Sequence, residues 1–547
     1  MARGSPKAAR GVAAGLGAFG AFAAIMILWS WSVPLMSSPD EPHHVVKAAA
    51  VWRGEWLGQH AAGQNSATMT MYVPRTYARA IGNFDCYRQR AYIPAGCAPK
   101  IVASSQIWPA RTHVGRYPPL YYILVGWPTA LSHSVSSMAW MRVISALLNS
   151  ALLAFGVFLI RRFRMGSGIL VGYCCALTPV AIYMDSTIQP NGLEATLGLL
   201  TATGVVGLAL HAAVHSAEVR PPRLLVGATG GAGAALCLVR GLSPLWLACL
   251  GIVAFILVPW AYWRAWLRLR DVRIWVGVIL VTTALATAWI LGAHALAIQP
   301  WPNFLLVYKH ASDWREVQLV LDREGWFAEQ MVGALTKETQ LPVPAFVVAF
   351  VALCLLVITG FVRGTARERG AIGFSFLATL LIPVALAAPR VRQDGINWQG
   401  RYTIPFAVAI VLVSAMAAWR SGSGLRASAA GRRVAAGMIV GWAVLDGVCF
   451  WAMLRRYSVS TNGPLNLLSV RHPNWSPSVA PVDVLAAVVL PVLAVAAIVL
   501  VLVMAAAERD RRALAGFDSA RSALEPLPAG SVAAEEEDEP GRALVQR

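Results

Sequence analysis

Charge is what this chain has least of. Asp, Glu, Lys and Arg make up only 13% of its 547 residues, against 57% hydrophobic. A domain surrounded by water cannot cover itself with so little polar surface, which excludes a soluble enzyme. The apolar run that follows MARGSPKAAR has no small-residue cleavage site, so it reads as an uncleaved first span and not as a removable signal peptide. The eight cysteines show no zinc-site spacing, and six of them (Cys174, Cys175, Cys237, Cys249, Cys354, Cys449) lie in or beside apolar runs, where they act as small hydrophobes. No internal repeat is visible, which weighs against the two-halved plan of many transporters. The net charge is +19, yet the basic residues stand in small groups at the ends of apolar runs. They read as topology determinants and lipid headgroup contacts, with no nucleic-acid surface among them.

What the chain has is apolar length. Twelve runs approach or exceed the roughly 20 residues that cross a bilayer: 11–36, 138–160, 166–183, 192–214, 224–239, 242–262, 274–298, 343–361, 371–388, 402–419, 434–454 and 482–506. One more segment, 118–131, is apolar but short and holds three prolines. Counting it as a span would put RRFR (161–164) and the basic clusters at 262–273, 363–369 and 420–433 outside, against the positive-inside bias, so it reads as a juxtamembrane or re-entrant helix. The expected fold is all-α, a multi-pass plasma-membrane protein of about twelve spans. Both termini fall on the cytoplasmic side: a tail over 1–10, a membrane domain over 11–506, and an unstructured tail over 507–547 with the acidic run EEEDE at 535–539. The polar connections 37–117, 185–192, 299–342, 389–401 and 455–481 then face outward, and the active face is external. Cys86 and Cys97 share the first external loop, where an oxidising exterior is expected to pair them.

Three outward motifs carry candidate chemistry. The first is SSPDEPHH, 37–44. Ser38, Pro39 and Glu41 fit a capping box, in which Glu41 would only satisfy free helix amides; Asp40 is explained less well that way. In the other reading Asp40 and Glu41 are catalytic, because a carboxylate held by prolines at the water boundary is a rigid, partly desolvated general base. Asp40 and His44 lie four apart on one helix face, which leaves open a proton relay or half a site for a divalent metal, although nothing nearby supplies the other ligands. His43 points roughly 100° away.

The second motif is RYPPLYY, 116–122. Its tyrosines suit lipid headgroups, or its helix walls a groove for a lipid substrate with Arg116 and Tyr117 at the mouth. The third is NWQGRYTIP, 397–405, closely preceded by Arg390 and Arg392. Three arginines at an outer boundary run against the positive-inside trend, and guanidinium forks match phosphate geometry. An anionic headgroup satisfies them in general, and a polyprenyl-phosphate leaving group in particular; Gly400 would let backbone approach that ligand beside Gln399, Arg401 and Tyr402. Asp185, Asn191 and Arg240 at outer helix ends, and the intramembrane Asp446, complete the candidates. His294 reads as an interior histidine.

PDEPHH, YPPLYY, STIQPNGLEA and QGRYTIP, in this order, resemble a bacterial family of predicted membrane proteins, domain of unknown function 2142, over about residues 34–506. An acidic pair after the first span, a long external first loop and a PPLYY helix are in turn similar to the GT-C superfamily of membrane glycosyltransferases. That resemblance implies a GT-C-like fold, a polyprenyl-phosphate-linked sugar as donor, and inversion at the anomeric centre. It implies a general-base or metal-site role for Asp40 and Glu41, and a phosphate-holding role for Arg401 first and Arg392 next. His44, Arg116, Tyr117, Asp185, Asn191, Arg240, Gln399 and Tyr402 are the further substrate-side candidates. No large soluble domain follows the spans, a departure from the superfamily that leaves the acceptor, an envelope glycan or protein, open. The rival class is a transporter or flippase of lipid-linked envelope glycans, or an accessory subunit for one, and Asp446 is its main support.

Overall fold

The computed structural model describes residues 6–60, 68–297, 308–419 and 428–524. Within these, every one of the twelve apolar runs is helical, but in three different ways. Eight helices are long and apolar enough to cross a bilayer: Gly11–Ser32, Val135–Arg162, Pro190–Val214, Arg270–Gly292, Val343–Arg363, Ala366–Asp394, Ala429–Val459 and Val482–Ala506. Two runs are broken. Ser167–Ala176 and Pro179–Asp185 meet at 70°, and Ser243–Leu257 and Trp260–Trp266 at 111°. Proline explains both breaks: Pro179 and Pro259 follow the bends, and a proline lacks the N–H for the helix ladder and drives the preceding residue out of helical conformation. The last two runs, Arg223–Cys237 and Ile404–Ala418, are shorter apolar helices. Of the twelve expected spans, eight among the described residues are single helices long and apolar enough to cross, or ten if each bent pair is one span.

The helix Ile404–Ala418 sits at the centre, packed against Ser167–Ala176, Pro190–Val214, Ser243–Leu257, Val343–Arg363 and Ala366–Ala387. Glycine permits the closest of these approaches. A Cβ at Gly198 would collide with the Pro405 carbonyl, and one at Gly360 with the Ser414 backbone, the small-residue packing by which helices associate in lipid. This clamped helix begins three residues after Arg401, so the arginine stands at the entry to a confined, central element. The first helix, Pro6–Ser32, packs on Val135–Arg162 and Val482–Leu524, and Trp29 Nε1 donates to both carboxylate oxygens of Asp446, at 3.2 and 3.1 Å.

The chain departs from all-α in the loop 37–117. MTMYVP buries Met69, Met71 and Val73 on one face and exposes Tyr72, the period of two of a half-buried strand. Met69–Pro74 pairs antiparallel with Ile107–Thr112, Met69 opposite Thr112. Cys86 and Cys97 are disulfide-bonded, with Cα atoms 6.1 Å apart. Arg456 fastens this loop to the bundle by donating to the carbonyls of Tyr87, Arg90 and Ile93 at 2.6 to 2.8 Å. The segment 118–131 folds as Leu120–Gly126 and Pro128–Leu131, helices of 7 and 4 residues, too short to cross.

At the C-terminal end the helix Val482–Leu524 continues past residue 506, where the sequence placed an unstructured tail. The acidic run 535–539, residues 299–307 of the outer stretch and residues 420–427 of the basic connector lie outside the described residues.

Candidate active site at one end of the bundle

The capping box expected at Ser38 does not form. The helix starts at Glu41, and Asp40 takes the N-cap position in the left-handed region, with φ 62° and no side-chain cap. The same signature does form at Thr365 and Glu368. At the first loop another partner decides the outcome: the Arg142 guanidinium grips both oxygens of Glu41, at 2.6 and 2.5 Å, while Ile188 N donates to the same carboxylate at 3.2 Å and Ser38 N at 3.4 Å. Arg142 also donates to the carbonyls of Ser30, Val33 and Pro34 at 2.7 to 3.0 Å. Glu41 is fully buried. It anchors the turn between the first two helices from inside, away from the water boundary that the sequence assigned to it.

Asp40 points the other way. Its Oδ2 accepts from Arg401 at 3.0 Å, and its Oδ1 lies 3.4 Å from His113 Nε2. The Asp40 side chain is 32% exposed, His113 25% and Arg401 11%, so the group is half-open. Burial alone would raise the Asp40 carboxyl. The hydrogen bond and charge of His113, joined by the charge of Arg401, outweigh it and hold Asp40 well below the usual carboxylate range. A non-glycine residue held at positive φ stores strain on the order of 1 kcal/mol, and such strain gathers at functional sites.

Around this pair the structure assembles several of the other candidates. Tyr402 is flanked by two guanidiniums, Arg240 at 4.8 Å and Arg401 at 5.5 Å from its ring centre. Arg240 also lies over Tyr117 at 5.5 Å and is fixed by an ion pair with fully buried Glu194 at 3.0 Å, which accepts in turn from Ser243 at 2.6 Å. The Nε atoms of Arg240 and Arg401 are both buried and have no hydrogen-bond partner among the described residues. His44 shares a 2.8 Å hydrogen bond with Tyr122 and faces Tyr117 with ring centres 6.0 Å apart; burial pushes its imidazole well below its ordinary range, so it is neutral. His43, expected to point away, packs against His113 with the rings tilted and their centres 4.2 Å apart, and burial pushes it to about 3.

Other candidates are committed elsewhere. Arg392 holds Asp313 and Glu316 instead. Arg116 donates to the His294 carbonyl at 3.2 Å and meets His60 at 3.0 Å; His294 itself is exposed, not interior. Asp185 is buried and accepts from Thr196 at 3.2 Å, while Asn191 is buried in the first turn of Pro190–Val214. Gln399 is half-buried, its carbonyl accepting from Tyr402 N at 2.9 Å. Gly400 admits no ligand: a Cβ there would strike the Phe327 carbonyl, and its N–H donates to Gln330 at 2.8 Å. Among the described residues no three His, Cys, Asp or Glu side chains are grouped to hold a metal, so the Asp40 and His44 pair lacks the donors to complete such a site.

Sequence reasoning missed His113, Glu194 and Arg142. Glu194 and Arg142 carried a readable signal, since each is a charge inside an apolar run and such residues are paired and purposeful. His113 carried none, standing in a polar loop with no spacing to mark it.

A family described as Predicted membrane protein (DUF2142) matches residues 23–410. No curated protein matches the chain. Among solved structures, the crystal structure of ArnT from Cupriavidus metallidurans bound to undecaprenyl phosphate is similar at a TM-score of 0.40 and 14% identity, over 93% of this chain and 80% of that one.

Proposed function

The chain belongs to the DUF2142 family of predicted membrane proteins, and from that premise we propose that it is a GT-C-like inverting glycosyltransferase working at the outer face of the plasma membrane. Its donor is a polyprenyl-phosphate-linked sugar and its acceptor an envelope glycan or protein. The observation that carries this reading is the contact between Asp40 and Arg401, which joins a carboxylate and a guanidinium in one half-open group beside Arg240 and two tyrosines. An acceptor hydroxyl attacks the anomeric carbon and passes its proton to Asp40. The bond from that carbon to the phosphate oxygen breaks, and polyprenyl phosphate leaves with the electron pair. An oxocarbenium-like transition state needs a base on one side and charge relief on the other. Asp40 supplies the base, and the guanidiniums of Arg401 and Arg240 supply the charge that receives the phosphate.

The same pairing gives the site a resting state. With no donor bound, Arg401 neutralises Asp40. An arriving phosphate competes for the guanidinium and weakens its hold on the carboxylate, which makes Asp40 a stronger base once substrate is present. Glu41 acts through position, since Arg142 already occupies both of its oxygens. A divalent metal plays no step in this scheme.

The test is transfer or donor hydrolysis by purified protein given radiolabelled polyprenyl-phosphate sugars, with Asp40→Asn as the comparison. Export or flipping of the same lipid-linked glycans is the second reading, favoured by Asp446 inside the bundle and by the two bent helix pairs. Donor that moves across the bilayer of a vesicle with its sugar bond intact distinguishes it.

A further inference from the structure

Toward the end of the bundle away from Asp40, two cavities share Arg223 as a wall. Arg223 opens the helix Arg223–Cys237, and Arg240 stands just past the other end of that helix, so the two arginines are about 25 Å apart along it at 1.5 Å per residue. Arg270 opens the neighbouring helix Arg270–Gly292, whose far end leads to the His294 carbonyl held by Arg116. Between the two helix starts lies a cavity of 410 Å³ lined by Arg220, Arg223, Arg268, Arg270 and Arg273, with Asp271 its single acid. Asp271 pairs with Arg223 at 4.0 Å, and among the described residues no other acid lines this cavity.

A second cavity of 630 Å³ adjoins the first through Arg223, which lines both. Its walls are apolar, among them Phe155, Leu200 and Trp275, and Gly227 and Gly231 line it beside the Trp275 ring. Topology bias accounts for arginines at a membrane boundary, but not for a five-arginine pocket that shares a wall, Arg223, with an apolar groove. We propose that this is a binding site for an anionic phospholipid, with its phosphate headgroup among the arginines and an acyl chain along the glycine face of Arg223–Cys237. Guanidinium forks suit the phosphate, and basic pockets between membrane helices hold such headgroups. The helix Arg270–Gly292 buries little of its surface within the bundle, which leaves it open for lipid to cover. The site is independent of the Asp40 chemistry.

The test is native mass spectrometry of the full-length protein loaded with phosphatidylglycerol or phosphatidylcholine. Wild type should retain phosphatidylglycerol preferentially. Replacing Arg223, Arg270 and Arg273 together with Gln should weaken that retention roughly a hundredfold. Filling the groove with Gly227→Leu and Gly231→Leu, which leaves charge unchanged, should weaken it roughly tenfold, and soluble glycerol phosphate should not compete. Unchanged phosphatidylglycerol retention in the arginine variant overturns the proposal. So does retention in the groove-filled variant with competition by glycerol phosphate, the mark of a soluble-anion site. If the arginine variant does not fold, the groove-filled variant alone decides.

Discussion

Arg401 donates to Asp40 at 3.0 Å across 361 positions of sequence. The acid ends the turn after the first helix, and the arginine precedes a helix clamped at the centre of the bundle. Neither can shift far: Asp40 is pinned from behind by the Glu41–Arg142 pair, and Arg401 by Gly400 packed against Phe327.

Replacing Arg401 should change the pH profile as well as binding. Arg401 is one of the charges that hold Asp40 below its ordinary value, so Arg401→Gln should raise the Asp40 pKa and move the acidic limb of kcat/KM to higher pH. The sign follows from linkage: with a depressed folded value, the carboxylate form is complete above the ordinary 3.8 and is lost only as pH falls through the folded value. Losing a charged hydrogen bond to phosphate should also raise the donor KM roughly ten- to a hundredfold. An unmoved acidic limb contradicts the coupling of these two residues.

Glu41→Gln should act on stability. Breaking one side of a buried ion pair costs about 3–5 kcal/mol, read as a lowered unfolding temperature or a poor yield of folded protein, while the molecules that fold keep their turnover. A stable, inactive Glu41→Gln protein would return Glu41 to a place beside Asp40 in the chemistry.

The Cys86–Cys97 bridge reports on orientation. Thiol alkylation of protein from intact cells, followed by peptide mapping, should find both cysteines blocked before reduction and free after it, as expected of a loop on the oxidising side. Alkylation of both without reductant would place the loop, and Asp40 with it, on the reducing side and overturn the external active face.

Much of this was legible because charge is so scarce. Asp40 and Arg401 stood out as polar groups at boundaries where the positive-inside trend and the apolar runs offered no reason for them, and both lie in the assembled group. What sequence spacing does not encode is the partner: Glu41 looked like a second base until Arg142, 101 positions away, claimed its carboxylate, and Arg392 looked like a second phosphate ligand until Asp313 and Glu316 claimed its guanidinium. The two bends had a local reason that was visible, since Pro179 and Pro259 sit inside apolar runs and break them. The strand Met69–Pro74 was also marked in the sequence, by its alternating apolar residues.

The most direct test is turnover of radiolabelled polyprenyl-phosphate sugar by Asp40→Asn beside wild type, with donor binding measured on the same preparations. Asparagine tolerates the left-handed backbone at this position and removes only the ionisable oxygen. The account predicts donor still bound and transfer reduced by about 10²–10⁴-fold, the span of general-base contributions. Wild-type transfer by Asp40→Asn contradicts it.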